Sequence, residues 1–203
     1  MNRVRLALQR IAADLDGLGK RWALVGGLAV AVRAEPRFTR DADLAVSVAD
    51  DPEAERLVAD LRGRGYRVLA AVEQEATRRL ATTRLSPPGE PEHGVVVDLL
   101  FASSGIEPEV AAAAEVVEAL PGLRLPVATP GHLIALKVLS RDDRLRPFDR
   151  ADLVALLGRA DAATLAEART ALATIQARGF HRGRALINDL DALIDELGPP
   201  RSR

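Results

Sequence analysis

Val4, Leu8, Ile11, Leu15 and Leu18 recur at helical spacing, which predicts an amphipathic helix over residues 3–18. Trp22 to Val25 is a short apolar run that ends at Gly26-Gly27, and Leu28 to Arg33 reads as a second helix. Glu35-Pro36 ends that helix, because the residue before a proline is pushed out of the helical region. Strands are predicted over 41–48, 66–72, 78–85 and 95–101, with a helix from Asp51-Pro52 to about Arg64 and Gly65 as its stop. After residue 105 the pattern turns helical: 107–119, 130–141, 147–158, 161–177 and 181–196, with one short strand at 124–128. The tail from Gly198 to Arg203 is expected to fray. The coarse picture is a mixed-sheet half followed by a helical half.

Composition narrows the class. Of 203 residues, 48% are hydrophobic but only 3% aromatic, so the core must be built from Leu, Val, Ala and Ile. With 28 basic and 29 acidic residues the net charge is −1, so contact with nucleic acid would have to come from local patches. Absence of cysteine excludes disulfides, thiolate metal sites and cysteine catalysis. The N-terminal segment is no signal peptide and no apolar run reaches the ~18 residues of a membrane helix. A cytoplasmic protein is expected.

The chemistry concentrates in three carboxylates. In a strand, residues two apart share a face, so Asp41 and Asp43 stand together with Ala45 and Ser47, while Ala42, Leu44, Val46 and Val48 face the packed side. Two such charges repel, and bound Mg²⁺ would relieve the repulsion. Asp98 interrupts the apolar run Val95-Val96-Val97-Asp98-Leu99-Leu100-Phe101. Burying that carboxylate is costly unless it ligates metal or pairs with an arginine, and read alone it fits either role. If its strand lies near that of Asp41, all three acids could hold two metals about 4 Å apart for a phosphoryl transfer. Gly26-Gly27, between strand and helix, suits close approach of an anion, or is an ordinary tight turn. Neither a Walker loop nor a dinucleotide fingerprint is present.

Lys137 sits in the apolar stretch Leu133 to Leu139, with Arg141 four residues on. It either reaches an anion or bridges to Asp149 or Asp152, and both roles can hold at once. Arginines cluster at Arg78, Arg79 and Arg84, at Arg141, Arg144, Arg146 and Arg150, and at Arg178, Arg182 and Arg184; each cluster is a solvated face unless it converges on the acids. His93, His132 and His181 show no metal-ligand spacing.

These residues resemble the polymerase-β-type nucleotidyltransferase superfamily: a glycine turn, an Asp-x-Asp pair and a third strand carboxylate. Within it, Arg37-Phe38-Thr39-Arg40-Asp41-Ala42-Asp43 is similar to the AbiEii/MenT nucleotidyltransferase toxins. Leu136 to Arg141, followed by Phe148-Asp149-Arg150-Ala151-Asp152-Leu153, is similar to that group's second motif. The resemblance implies an α+β (mixed α/β) fold with a nucleotidyltransferase sheet flanked by helices. Residues 1–105 would form the catalytic core, and 106–203 a mostly helical region that contributes Lys137 and Asp152 to the site. It further implies Asp41, Asp43 and Asp98 as ligands of two Mg²⁺ ions. Gly26, Gly27, Thr39, Lys137 and Arg141 would bind the NTP. The implied acceptor is the 3′ end of tRNA, whose extension blocks aminoacylation, and the implied partner is a cognate antitoxin, in some systems kinase-like. Thr39 fits the position such an antitoxin phosphorylates. The competing expectations are an enzyme nucleotidylating a small, aminoglycoside-like molecule or a protein hydroxyl, and a degenerate domain acting only as a binding module.

Overall fold

The computed structural model describes residues 2–35, 39, 41–74, 77–142 and 147–197. Arg37, Phe38 and Arg40 of the toxin-like segment, Arg144 and Arg146 of the arginine cluster, and the tail from Gly198 lie outside the described residues.

Among the described residues seven strands form one mixed sheet. In chain order the strands and the early helices are α1 (Asn2–Gly17), β1 (Trp22–Val25), α2 (Gly26–Arg33), β2 (Asp41–Val46), α3 (Asp51–Gly63), β3 (Arg67–Glu73), β4 (Leu80–Ser86) and β5 (Val96–Leu100). Then follow α4 (Glu107–Ala113), β6 (Glu115–Leu120), β7 (Leu123–Val127), α5 (Pro130–Ser140), α6 (Pro147–Leu157), α7 (Ala162–Ala177) and α8 (Leu186–Leu197). Across the sheet the order is β3-β4-β5-β2-β1-β7-β6. The β2/β5 and β1/β7 pairs are parallel and the other four antiparallel. All four residues of β1 are buried, as expected for a central strand covered on both faces.

One apolar cluster runs from Leu8 on α1 to Leu193 on α8 and takes in residues of every central strand. It is made of Leu, Val, Ala and Ile with few rings, as the composition requires. Among the described residues no helix is long and apolar enough to cross a membrane.

Two expectations fail. The helix expected over 107–119 stops at Ala113, and Glu115 to Leu120 is strand β6. Ala111 to Ala114 keeps the helical pattern alive, but Val116 and Val117 are β-branched, and Pro121-Gly122, with Gly122 at φ +69°, turns the chain into the β6–β7 hairpin. Since β7 pairs with β1, the sheet continues past residue 105 into the later half of the chain. The last helix starts at Leu186 rather than at 181, because Gly183 takes φ +70° just before it.

Candidate active site

Strand register builds the centre. Asp43 on β2 is directly opposite Asp98 on β5, Asp98 is opposite Arg84 on β4, and Asp43 is opposite Val25 at the end of β1. Arg84, Asp98, Asp43 and Val25 thus form one row across four neighbouring strands. Asp41 lies one pleat earlier on β2 and is half-buried, as is Asp43. Ala42, Leu44 and Val46, on the opposite face of β2, are fully buried and anchor the strand.

Gly26 closes the row. It has φ +63°, and a Cβ placed there would lie 1.9 Å from Oδ2 of Asp43. Only glycine meets both demands, the left-handed backbone and the contact with the carboxylate. Helix α2 begins at Gly26 itself, earlier than the expected Leu28, so both glycines belong to its first turn. Val25 makes no side-chain cap hydrogen bond, and α2 starts against the Asp43 carboxylate.

Crowding of like charges shows at Asp43. Burial first, then the neighbouring Asp98 and Asp41 carboxylates, push its carboxyl up to about 6, while Lys137 and Arg84 pull the other way. Asp98, 7% exposed, is held by a two-pronged ion pair: Arg84 Nε donates to Oδ1 at 2.9 Å and Nη2 to Oδ2 at 2.7 Å. That bond to Asp98, reinforced by the fields of Asp41 and Asp43, holds the Arg84 guanidinium above the usual arginine range. Its side chain is 48% exposed, so the guanidinium covers the acids from the solvent side. The arginine alternative for Asp98 is therefore realised in the structure. Arg84 belonged in sequence to a cluster read as a solvated face, and nothing in Thr-Thr-Arg marked it out.

From helix α5, Lys137 acts on the row through its charge. Its ammonium is 2.6 Å from Asp149 Oδ1 and 2.8 Å from Asp152 Oδ2, and Ser140 Oγ donates to Asp149 Oδ2 at 2.9 Å. The lysine bridges to both candidate aspartates on α6 and also acts on Asp43. Arg141 does not share its helix face: α5 ends at Ser140, and Arg141 has an extended backbone with ψ 122°. Its carbonyl, with those of Val138 and Leu139, accepts from Arg184 Nη1, which caps the helix end. Thr39 is half-buried two residues before Asp41, whose N–H donates to Thr39 Oγ1 at 3.4 Å.

The donor set is all oxygen with an excess of negative charge at Asp43, which suits a hard divalent cation. Among the described residues no three acidic or histidine side chains converge closely enough to hold one ion, and Asp98 is engaged by Arg84. A cation would draw first on Asp41 and Asp43, and on Asp98 once Arg84 yields it.

Over residues 7–201 the chain matches the model of the nucleotidyl transferase AbiEii toxin family of type IV toxin–antitoxin systems. Comparison with curated proteins gives no match. Among solved structures, an antigenic nucleotidyltransferase-like protein from Paracoccidioides brasiliensis is 18% identical, with 99% of this chain and 95% of that chain covered and a TM-score of 0.52. ANT(2″)-Ia in complex with adenylyl-2″-tobramycin is 13% identical over 98% of this chain and 100% of that chain, with a TM-score of 0.49. The lincosamide antibiotic adenylyltransferase LnuA, lincomycin-bound, is 13% identical over 74% and 94%, with a TM-score of 0.46. The family match covers nearly the whole chain, from α1 to beyond α8, and with it this protein belongs to the AbiEii nucleotidyl transferase toxins.

Proposed function

We propose that the protein is a metal-dependent nucleotidyltransferase toxin that moves nucleotides from NTP to the 3′ end of tRNA and so blocks aminoacylation and translation. The observation that carries this reading is the in-register pairing of Asp43 with Asp98 beside the uncapped start of α2. Asp41, Asp43 and Asp98 would hold two Mg²⁺ ions, which when bound supply charge neutralisation and help activate the acceptor hydroxyl. Gly26 and Gly27 let the triphosphate approach the α2 backbone N–H groups. Lys137, held by Asp149 and Asp152, directs positive charge at the same place. Arg141, just past the end of α5, adds charge at its edge. In the transfer the acceptor hydroxyl oxygen bonds to the α-phosphorus, the bond to the β-phosphate breaks, and pyrophosphate leaves.

Incubation with total tRNA, Mg²⁺ and each labelled NTP in turn tests this, with Asp41→Ala as the control. Label on tRNA with the intact protein alone is the expected result. No label on tRNA, from a folded protein that binds NTP, would move the acceptor to a small molecule or a protein hydroxyl. Activity in Asp41→Ala would remove the metal assignment. A cognate antitoxin is the partner, and a phosphate placed by it on Thr39 would add negative charge beside Asp41 and block NTP or metal entry. Undiminished transfer by protein fully phosphorylated at Thr39 would refute that control.

A further inference from the structure

Strand β3 takes no part in the chemistry, yet it is built unlike an ordinary edge. It ends the sheet, pairs only with β4, and all seven of its residues are exposed. Five consecutive residues, Val68 to Val72, carry no charge, and Val68, Leu69 and Val72 are 40%, 45% and 55% exposed. The other edge, β6, is guarded in the usual way. It carries Glu115 and Glu118, Glu115 pairs with Arg33, and Arg124 Nη2 donates to the carbonyl of Val116. A long apolar edge with open backbone groups is a template for another strand.

The sequence of β3 specifies which strand. It reads Arg-Val-Leu-Ala-Ala-Val-Glu, with a positive charge at one end and a negative charge at the other. Laid antiparallel on a second copy about a two-fold axis at Ala70, Arg67 meets Glu73 of the second copy at both ends. Val68 meets Val72, and Leu69 meets Ala71. Parallel pairing would instead stack like charges. We infer that β3 is a self-complementary edge through which two copies of this chain join into one continuous sheet.

Register shifts between Val68 and Ala70 and between Val72 and Glu73 interrupt the pairing with β4, and the first leaves Leu69 outside it. Such irregularities twist the edge, so the contact rests on the side-chain pairs about Ala70 and on the two Arg67–Glu73 ion pairs, and the association is reversible. A closed two-fold contact of this kind stops at the dimer.

The inference is independent of the transfer reaction and is tested by sedimentation equilibrium of the full chain up to about 1 mM, the weak end of specific association. A concentration-dependent dimer weakened by salt is expected. Arg67→Glu and Glu73→Arg, each shown to be folded by circular dichroism, should each raise the dissociation constant at least about tenfold, because like charges then face at both ends. The double exchange Arg67→Glu/Glu73→Arg should restore it. Arg67 also donates to Ser86 Oγ and to the Glu90 carbonyl, so Glu73→Arg and the rescue are the cleaner readouts. A monomer at every concentration overturns the inference, even if a strand of another protein occupies the edge. So does a dimer indifferent to the single exchanges, or one the double exchange fails to restore.

Discussion

The proposed function gives Lys137 two jobs at one atom, and substitutions can separate them. Its ammonium neutralises Asp149 and Asp152, of which only 8% and 2% of the side chain is exposed. Lys137→Ala breaks two buried ion pairs, a change that typically costs about 3–5 kcal/mol. We therefore expect Lys137→Ala to lose both stability, read by urea unfolding, and transfer. The triple variant Lys137→Met/Asp149→Asn/Asp152→Asn removes all three charges together. It should regain most of the stability and none of the activity. Recovery of transfer in the triple variant would show that the lysine is only structural. Gly26→Ala is expected to fold at a cost of about 1–2 kcal/mol for its left-handed backbone. It should weaken NTP binding at least about tenfold, because its methyl displaces the Asp43 carboxylate; unchanged affinity by calorimetry would detach Asp43 from the nucleotide site. The acids and Lys137 were legible because a charge in an apolar run demands a reason. Arg84 was illegible because an arginine on an alternating strand looks the same whether it meets water or a carboxylate three strands into a sheet.

At the scale of elements, one buried carboxylate ties α1 to the turn between α3 and β3. Asp14 on α1 accepts from Arg10 Nε at 3.0 Å, from Arg64 Nη1 at 2.8 Å and from the Tyr66 hydroxyl at 2.9 Å. Burial alone would raise its carboxyl, but the three hydrogen bonds together outweigh burial and hold it below its ordinary 3.8. A carboxyl with a lowered folded pKa contributes stability above its unfolded value, and that contribution disappears as pH falls through the folded value. The stability difference between the natural protein and Asp14→Asn should hold steady from pH 7 to 5 and shrink below pH 4. A difference that stays constant down to pH 2, measured by urea unfolding, would mean the three bonds do not stabilise the charged form. Asp14 was invisible in sequence, since two of its three partners lie 50 and 52 residues away. Strand β6 was missed for a different reason, although its partner β7 matches the strand expected at 124–128. The Pro121-Gly122 turn was in plain view, but the preceding alanines satisfy helix and strand patterns alike, and only pairing with β1 through β7 decides between them.

For the whole molecule, the question is whether the strand-rich and helix-rich parts stand or fall together. The carboxylates come from β2 and β5 and the lysine from α5, so a working site needs both parts in one arrangement. The core says they fold as one: a single apolar cluster joins α1, the central strands and α5 through α8, and β7 is hydrogen-bonded to β1 in the middle of the sheet. Trp22, the one tryptophan, is 3% exposed on β1, and its indole N–H donates to Asp16 Oδ1 at 2.8 Å. Its fluorescence therefore reports the sheet, while far-ultraviolet circular dichroism reports mostly the helices, of which α5 to α8 lie in the later half. In urea the two signals should follow one curve with the same midpoint and slope, as for a two-state unit. A helical signal that is lost at lower urea than the Trp22 signal would show that α5 to α8 can detach from the sheet. Lys137 would then meet the carboxylates only in a fraction of molecules, and transfer would fall with urea ahead of global unfolding. Coincident curves, with transfer declining along them, would instead mean that the site is assembled whenever the chain is folded.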